Sequence, residues 1–476
     1  MRILCVFGAL LAVLLSSSSV RAADGDWAAR AKQLVAYASA MYGLGRFNGV
    51  VLVARGDDVY RGAFGYANIE KRVLNANDTQ FEIASLSKMF TAIAILKLRD
   101  AGKLRLSDSI CTYIDSCPAA WRPVTIDEVL HHRSGLPDYE DSLEIDSPAY
   151  FAFMTAPDSS KRIVEREKPL PLDFPPGSKF SYSNTGYVVL GFIVERASRE
   201  TIARYLHETI FGPAGMNDTG VIGVDPSPRL ATGYTVKTEW GQRLPGFTLE
   251  DVHASPVPAL SLTAPEGDAG IFSTAGDLLT WARIMLGAKP ALVSAEERAE
   301  ILHGVEGYGD GWMIRDAFGL PRFLHTGELP GYLSNVMVFP TVGTISIVLD
   351  NLDTPMNAFT RDVSAIAIGK PYDPPFSGAL VTLTPAQDAA LFGRYKQASG
   401  EIVCVAMDGT LLAASTPRYK AGLLPLAPDR FYMPLASGLV TFTLGSNGVA
   451  SQMNLRYNGE DHVASRVEAP CPAGTL

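Results

Sequence analysis

Ser85 and Lys88 sit three residues apart in the stretch Phe81–Leu96, which reads as a helix apolar on nearly every face after its first turn. Such a helix belongs in a protein interior. At that spacing the two polar groups share one face, about a turn apart. A hydroxyl beside a desolvated amine can become a nucleophile, because burial disfavours the charged amine and leaves it able to accept a proton. Backbone N–H groups at a helix start also point at developing negative charge. The plainer alternative makes Ser85 a cap and Lys88 a snorkelling surface residue, but its apolar neighbours leave little surface to reach. Ser-x-x-Lys is a weak signal alone, since about one copy is expected by chance at this length. The position of this copy gives it weight.

Two later sites could meet this pair. Tyr182 and Asn184 follow the turn-rich Pro175–Ser178 and supply a phenol and an amide two residues apart. A phenol with a lowered pKa can take the serine proton, and the amide can hold a substrate carbonyl. A second Tyr-x-Asn, Tyr66-Ala67-Asn68, ends an expected strand and reads as a turn. His325-Thr326-Gly327 lies in a strand-like context, where a glycine lets another backbone approach closely. Alone, such a histidine is more often a structural one.

The elements that must position these groups are legible in outline. Trp27–Tyr42 has helical periodicity, and Asn48–Ala54 with Val59–Tyr66 form a hairpin around Arg55–Asp58. Thr125 and Glu128 spell a capping box that opens a short helix ending at Ser134–Pro137. A helical region runs from about Gly186 to Phe211, broken near Ser198, and another helix starts at Thr274. Trp312–Ile314, Leu333–Phe339 and Thr344–Asp350 read as strands, and Met356–Ile368 as a closing helix. Strands at both ends with helices between predict a mixed α/β fold of the α+β type, its terminal segments sharing one antiparallel sheet. After the Pro-rich linker Lys370–Pro375 and a short helix over Pro385–Tyr395, the pattern changes to short strands. Ile402–Met407, Leu411–Ser415, Phe431–Pro434, Val440–Leu444 and Val449–Tyr457 predict a small barrel or sandwich.

The chain has 476 residues, 19% of them charged, and a net charge of −9. That balance argues against nucleic acid or an anionic membrane as partner and leaves a small-molecule or peptide substrate. Arg2, the apolar run Ile3–Leu15 and the small residues before Ala22 match a secretory signal, so export to a periplasm or medium is expected. Thirteen apolar residues are too few to span a bilayer. The expected domains are a signal over 1–22, a hydrolase domain over 23–370, and a linker with β-domain over 371–476. Beyond Cys5, four cysteines allow three pairings, of which the local one is Cys111–Cys117 with Cys404–Cys471. No cysteine or histidine spacing suggests a metal, and no cofactor is expected.

Taken in order, Ser-x-x-Lys, Tyr-x-Asn 97 residues on and His-Thr-Gly 143 residues further resemble the serine β-lactamase and penicillin-binding protein superfamily. The resemblance is closest to the branch of class C β-lactamases, D-Ala-D-Ala carboxypeptidases, D-aminopeptidases and related esterases. Asn48-Gly49 with Phe64–Asn68, His132–Pro137 and Gly270–Thr274 add to it over residues 30 to 370, and the tail looks loosely like the lipocalin-like domain often appended in this family. The resemblance implies an antiparallel sheet flanked by helices, with an all-helical lobe. It implies Ser85 as acylated nucleophile, Lys88 as its proton partner and Tyr182 as second base. Asn184 would orient the substrate amide, while His325 and Thr326 line the strand edge. The oxyanion hole would be the backbone N–H groups of Ser85 and of Glu328, just past Gly327. Many β-lactamases of the superfamily carry lysine where this chain has His325, and a mostly neutral histidine lacks the permanent cation that binds a carboxylate. Histidine also occurs in peptidase members. The expectation is an exported serine hydrolase acting on an amide or ester, first a D-amino-acid peptide, with an ester or β-lactam as runner-up. A catalytically silent binding or sensor protein is the rival reading, and the full set of polar groups weighs against it.

Overall fold

The computed structural model describes residues 18–143, 147–236, 254–260, 266–354, 357–373, 380–409, 411–417, 420–433, 438–457 and 460–471. The expected signal segment lies almost wholly outside these residues. The first helix runs over Ser18–Gly43 and so begins upstream of Trp27, where its periodicity starts in the sequence.

A six-stranded antiparallel sheet forms the centre, in the order Met313–Ile314, Phe323–Leu329, Tyr332–Phe339, Thr344–Asp350, Gly49–Arg55, Asp58–Ala63. The two ends of this unit pair as expected, with Gly49 opposite Asp350 and Arg55 opposite Thr344. Gly49–Arg55 reads as a continuous apolar run because both sheet faces are covered. Val51, Val53 and Val348 pack under the helices Ser18–Gly43 and Asn357–Ile368, with Tyr37, Phe359 and Val363. Val50, Leu52, Ile345 and Ile347 face the main core, which holds the buried helix Ser87–Asp100 and the lobe of helices Ile126–Leu130, Ser159–Glu167 and Asn184–Ser198.

Local signals held where side chains cap backbones. Thr125 and Glu128 form the full capping box, and Thr274 caps Ala275–Met285. Tyr66–Asn68 corrects its expectation. It is a short strand paired with Val73–Leu74 rather than a turn, held by the Asn48 side chain, which accepts from the Tyr66 N–H and donates to its C=O.

Past Asp373 an eight-stranded antiparallel barrel closes, Tyr395 on its first strand pairing with Arg466 on its last. Tyr395, Val403, Leu423, Phe431, Phe442 and Met453 fill its interior. Five strands coincide with the sequence reading, and three do not. Gly393–Gln397 and Glu460–Arg466 are rich in charge, and Lys420–Ala427 contains glycine and proline, so none shows a clean alternation. The expected helix over Pro385–Tyr395 stops at Leu391, and Tyr395 belongs to the first barrel strand. Disulfides join Cys111 to Cys117 and Cys404 to Cys471. Among the described residues no helix is long and apolar enough to cross a membrane.

Candidate active site

The residues around Ser85 are not one helix. Phe81–Glu82 is a strand that pairs with Ser273 and Phe272, and the Ile83 N–H continues across to the Ile271 carbonyl at 2.9 Å. Ala84 then takes φ of +50°, a left-handed conformation that a helix cannot pass through. The helix proper starts at Ser87, after a 3₁₀ turn over Ala84–Leu86. A non-glycine residue held this way costs ~1–3 kcal/mol and is usual where function fixes the backbone. Here it turns Ser85 outward. Of the ten residues 81–90, Ser85 is the only one not buried.

Lys88 is fully buried and donates from Nζ to Ser85 Oγ at 2.9 Å, to Asn184 Oδ1 at 2.8 Å and to the Asp268 carbonyl at 3.2 Å. An ammonium has three protons, and each has an acceptor. Burial pushes the Lys88 pKa down, but Tyr182, Asp268 and Glu140 outweigh it and hold the amine above its ordinary value. This corrects the expectation that desolvation leaves Lys88 neutral: the pocket that buries the amine also surrounds it with acceptors and acidic groups.

Tyr182 is half-buried, with Lys88 Nζ 5.0 Å from its ring centre. The next residue, Ser183, caps Asn184–Ser198, so Asn184 is the first residue of that helix. Asn184 is held from the backbone too, its N–H donating to Asp138 Oδ2. His132 supports the same loop. Its Nδ1 accepts from the Ser183 N–H at 3.0 Å, and its ring lies 4.2 Å from that of Tyr182 at a 30° tilt. Sequence reasoning quoted His132 but gave it no role, since nothing local places it under a tyrosine fifty residues away.

His325, Thr326, Gly327 and Glu328 all lie on the strand Phe323–Leu329. A Cβ on Gly327 would come within 2.3 Å of both the Ile83 carbonyl and Ser334 Oγ, so only glycine lets this strand lie against the turn before Ser85. Ser334 Oγ donates to the Ile83 carbonyl at 2.7 Å and ties strand to turn. Thr326 is half-buried and Glu328 exposed, while His325 is fully buried. Burial and the Lys88 charge press the His325 pKa down to about 3. The imidazole is therefore neutral across the whole working range, further than its ordinary value implied.

The structure also shows an acidic shell around Lys88 that the sequence did not reveal. Burial raises Asp138, Glu140 (to about 7), Glu266 and Asp268 above the usual carboxylate range. Ser159 Oγ donates to Glu266 at 3.2 Å, and Tyr139 Oη to Asp268 at 3.3 Å. Pro137–Glu140 and Glu266–Asp268 adjoin motifs that were noticed, but 130 residues separate them and no periodicity links them. Among the described residues no cluster of three metal-ligating side chains occurs.

A family model described as Beta-lactamase matches residues 28–369. Penicillin-binding protein 4* of Bacillus subtilis (strain 168) is 30% identical over 451 residues, covering 89% of this chain and 96% of that protein. D-aminopeptidase of Gluconobacter oxydans (strain 621H) is 25% identical, covering 73% of this chain and 62% of its own length. The crystal structure of a penicillin-binding protein from Bacillus halodurans superposes with a TM-score of 0.57 at 28% identity, over 70% of this chain and 98% of that one.

Proposed function

The chain belongs to the beta-lactamase family, and from that premise we propose that it is an exported serine hydrolase that forms an acyl-enzyme on Ser85. The observation that carries this reading is the Lys88 ammonium, bound at 2.9 Å to Ser85 Oγ and at 2.8 Å to Asn184 Oδ1 inside the core. A serine held only for structure does not need a buried cation, whose desolvation is expensive.

The roles follow from which groups are free to act. Lys88 keeps its proton, orients the Ser85 hydroxyl and faces Tyr182 with its charge, so Tyr182 reacts as its phenolate: the proton leaving Ser85 passes to that oxygen and gives the neutral phenol. Attack on the substrate carbonyl then places negative charge on its oxygen, beside the backbone N–H groups of Ser85 and Glu328. Asn184 holds the substrate amide. Tyr182 returns its proton to the leaving group, and water completes the second half-reaction by the same route in reverse. The favoured substrate is a D-amino-acid peptide or its amide, in keeping with the relatives named a D-aminopeptidase and penicillin-binding proteins. Two disulfides fit an oxidising compartment and support export.

Intact mass after treatment with a fluorophosphonate or penicillin tests the reading. An adduct on Ser85, absent in Ser85→Ala, is expected. No adduct from either reagent would overturn it.

A further inference from the structure

Two buried carboxyl groups lie beside Lys88, and the mechanism above uses neither. Glu266 is 3% and Asp268 1% exposed. Glu266 Oε2 accepts from the hydroxyls of Ser159 and Ser160, and Asp268 Oδ2 from that of Tyr139. The other two oxygens, Glu266 Oε1 and Asp268 Oδ1, are buried and find no donor among the described residues. The two carboxyls are nevertheless hydrogen-bonded to each other. Ionised carboxylates only accept, so that bond forms only if one of the pair carries a proton. One proton between Oε1 and Oδ1 satisfies every oxygen of the pair.

We propose that Glu266 and Asp268 share one proton, carried by Glu266, and that Asp268 is a positioning residue whose remaining negative charge fixes Lys88 as the ammonium that faces Tyr182. The inference rests on the serine hydrolase reading for its rates, not for the proton. The charge belongs on Asp268 because Lys88 acts on that carboxyl and favours its ionised form, whereas Glu266 meets hydroxyl groups and the negative charge of Asp268. Two ionised carboxylates buried side by side would repel each other. A shared proton leaves one anion against one cation.

The strip that carries the pair is fastened on both sides. The Gly267 carbonyl accepts from Thr91 Oγ1 at 2.6 Å, on the nucleophile helix Ser87–Asp100. A Cβ on Gly267 would come within 2.2 Å of the Tyr187 carbonyl, so only glycine lets the strip lie against the helix Asn184–Ser198. The Asp268 carbonyl accepts from Lys88 Nζ at 3.2 Å. Asp268 thus meets the amine through its backbone while its carboxylate supplies the charge. Besides Lys88, the titratable groups facing the pair are Tyr139 and Asp138. Those facing Lys88 are Tyr182, Tyr187, Glu140 and the neutral imidazoles of His132 and His325.

Two measurements on the full chain test this. The infrared difference spectrum between wild type and Glu266→Gln, taken at about pH 8 where an ordinary carboxyl is ionised, should show the C=O stretch of one protonated carboxyl in the wild type. Its absence would overturn the shared proton. This measurement needs only the isosteric single variant and stands if a double variant does not fold. The rate of Ser85 labelling by a fluorophosphonate is then followed with pH. The wild type should label with no basic limb up to about pH 10, because Lys88 stays an ammonium. Glu266→Gln puts an N–H where the shared proton was and leaves Asp268 charged, so no limb should enter there either. Glu266→Gln/Asp268→Asn removes the charge, and a basic limb should appear, brought down by ~1–3 pH units, the usual effect of one opposite charge. The same limb in Glu266→Gln would mean that Glu266 itself was charged. A double variant slowed equally at every pH, with no limb, would mean that Asp268 matters for packing alone. Either result refutes the proposal. Failure of the wild type to label would sink the hydrolase reading and leave the infrared measurement standing.

Discussion

At the scale of single residues, the site is an arrangement of protons. Lys88 donates all of its own, His325 has its nitrogens filled, and the proposed mechanism gives Tyr182 the one that Ser85 must lose. Ser85→Ala is accordingly expected to lower kcat on the order of 10⁶-fold, as for other serine nucleophiles. Tyr182→Phe should lower it by ~10²–10⁴-fold, the usual share of a general base. Steady-state turnover of a D-amino-acid anilide reads both, and near-wild-type rates for Tyr182→Phe would assign the proton elsewhere. Just before the nucleophile turn, Glu82 is buried, and desolvation raises its pKa to about 7. The folded state then holds a proton that the unfolded chain releases near 4.5, so stability falls as pH rises between those values. Glu82→Gln should remove that loss and stabilise the protein by up to ~3 kcal/mol above pH 7, with the gap closing toward pH 4.5. Thermal melts at both ends of the window check it, and equal gains at both would exclude titration as the cause. Residue types and their order singled out Ser85, Lys88, Tyr182, Asn184 and His325, and the fold gathers Ser85, Asn184 and Tyr182 around Lys88. The charge on Lys88 is not legible in the sequence because it depends on Tyr182, Asp268 and Glu140 together, which only the folded chain brings near.

At the scale of elements, the site is a strand lying against a turn. The segment 81–86 was read as helix because its composition is helical, but its backbone hydrogen bonds go to Ile271 and its φ at Ala84 is positive. Long-range pairing overrode local propensity. The reverse holds for Thr125, Thr274 and Thr384, whose caps are local chemistry and appear where the sequence puts them or where its pattern allows. Gly327 is where strand and turn touch. Gly327→Ala would drive a methyl group into the Ile83 carbonyl and Ser334 Oγ, forcing the His325 strand away from Ser85. Because a displacement of that kind misplaces an oxyanion donor, kcat/KM should fall by ~10²–10³-fold, while the strand's other pairings keep the fold. Turnover together with near-UV circular dichroism separates the two effects. Full activity in Gly327→Ala would show that the strand can shift without cost, and so that its closeness does not matter to the reaction.

At the scale of the whole molecule, the question is what the C-terminal barrel does for a site whose contacts, among the described residues, come from the rest of the chain. Every side chain placed around Ser85 comes from residues before 335. The barrel meets the rest of the chain elsewhere. Arg456 lies 3.6 Å from Asp373, which also pairs with Arg361 at 3.6 Å. Tyr432 of the barrel acts electrostatically on Arg46 and on Tyr37. Tyr37 belongs to the cluster that packs the helices Ser18–Gly43 and Asn357–Ile368 onto the sheet face turned away from the nucleophile helix. Arg46 is 2% exposed, and burial lowers its pKa. Removing residues 376–476 would open that region to water without touching Lys88, Tyr182 or His325. The truncated chain should therefore melt earlier, yet turn over a small D-amino-acid anilide within roughly threefold of wild type, as for distant sites that act independently. Loss of more than tenfold in kcat/KM from a truncated protein that still labels at Ser85 would mean that the barrel reaches the substrate. In that event the loss should grow with peptide length, because only a longer substrate extends far enough from Ser85 to meet a barrel loop.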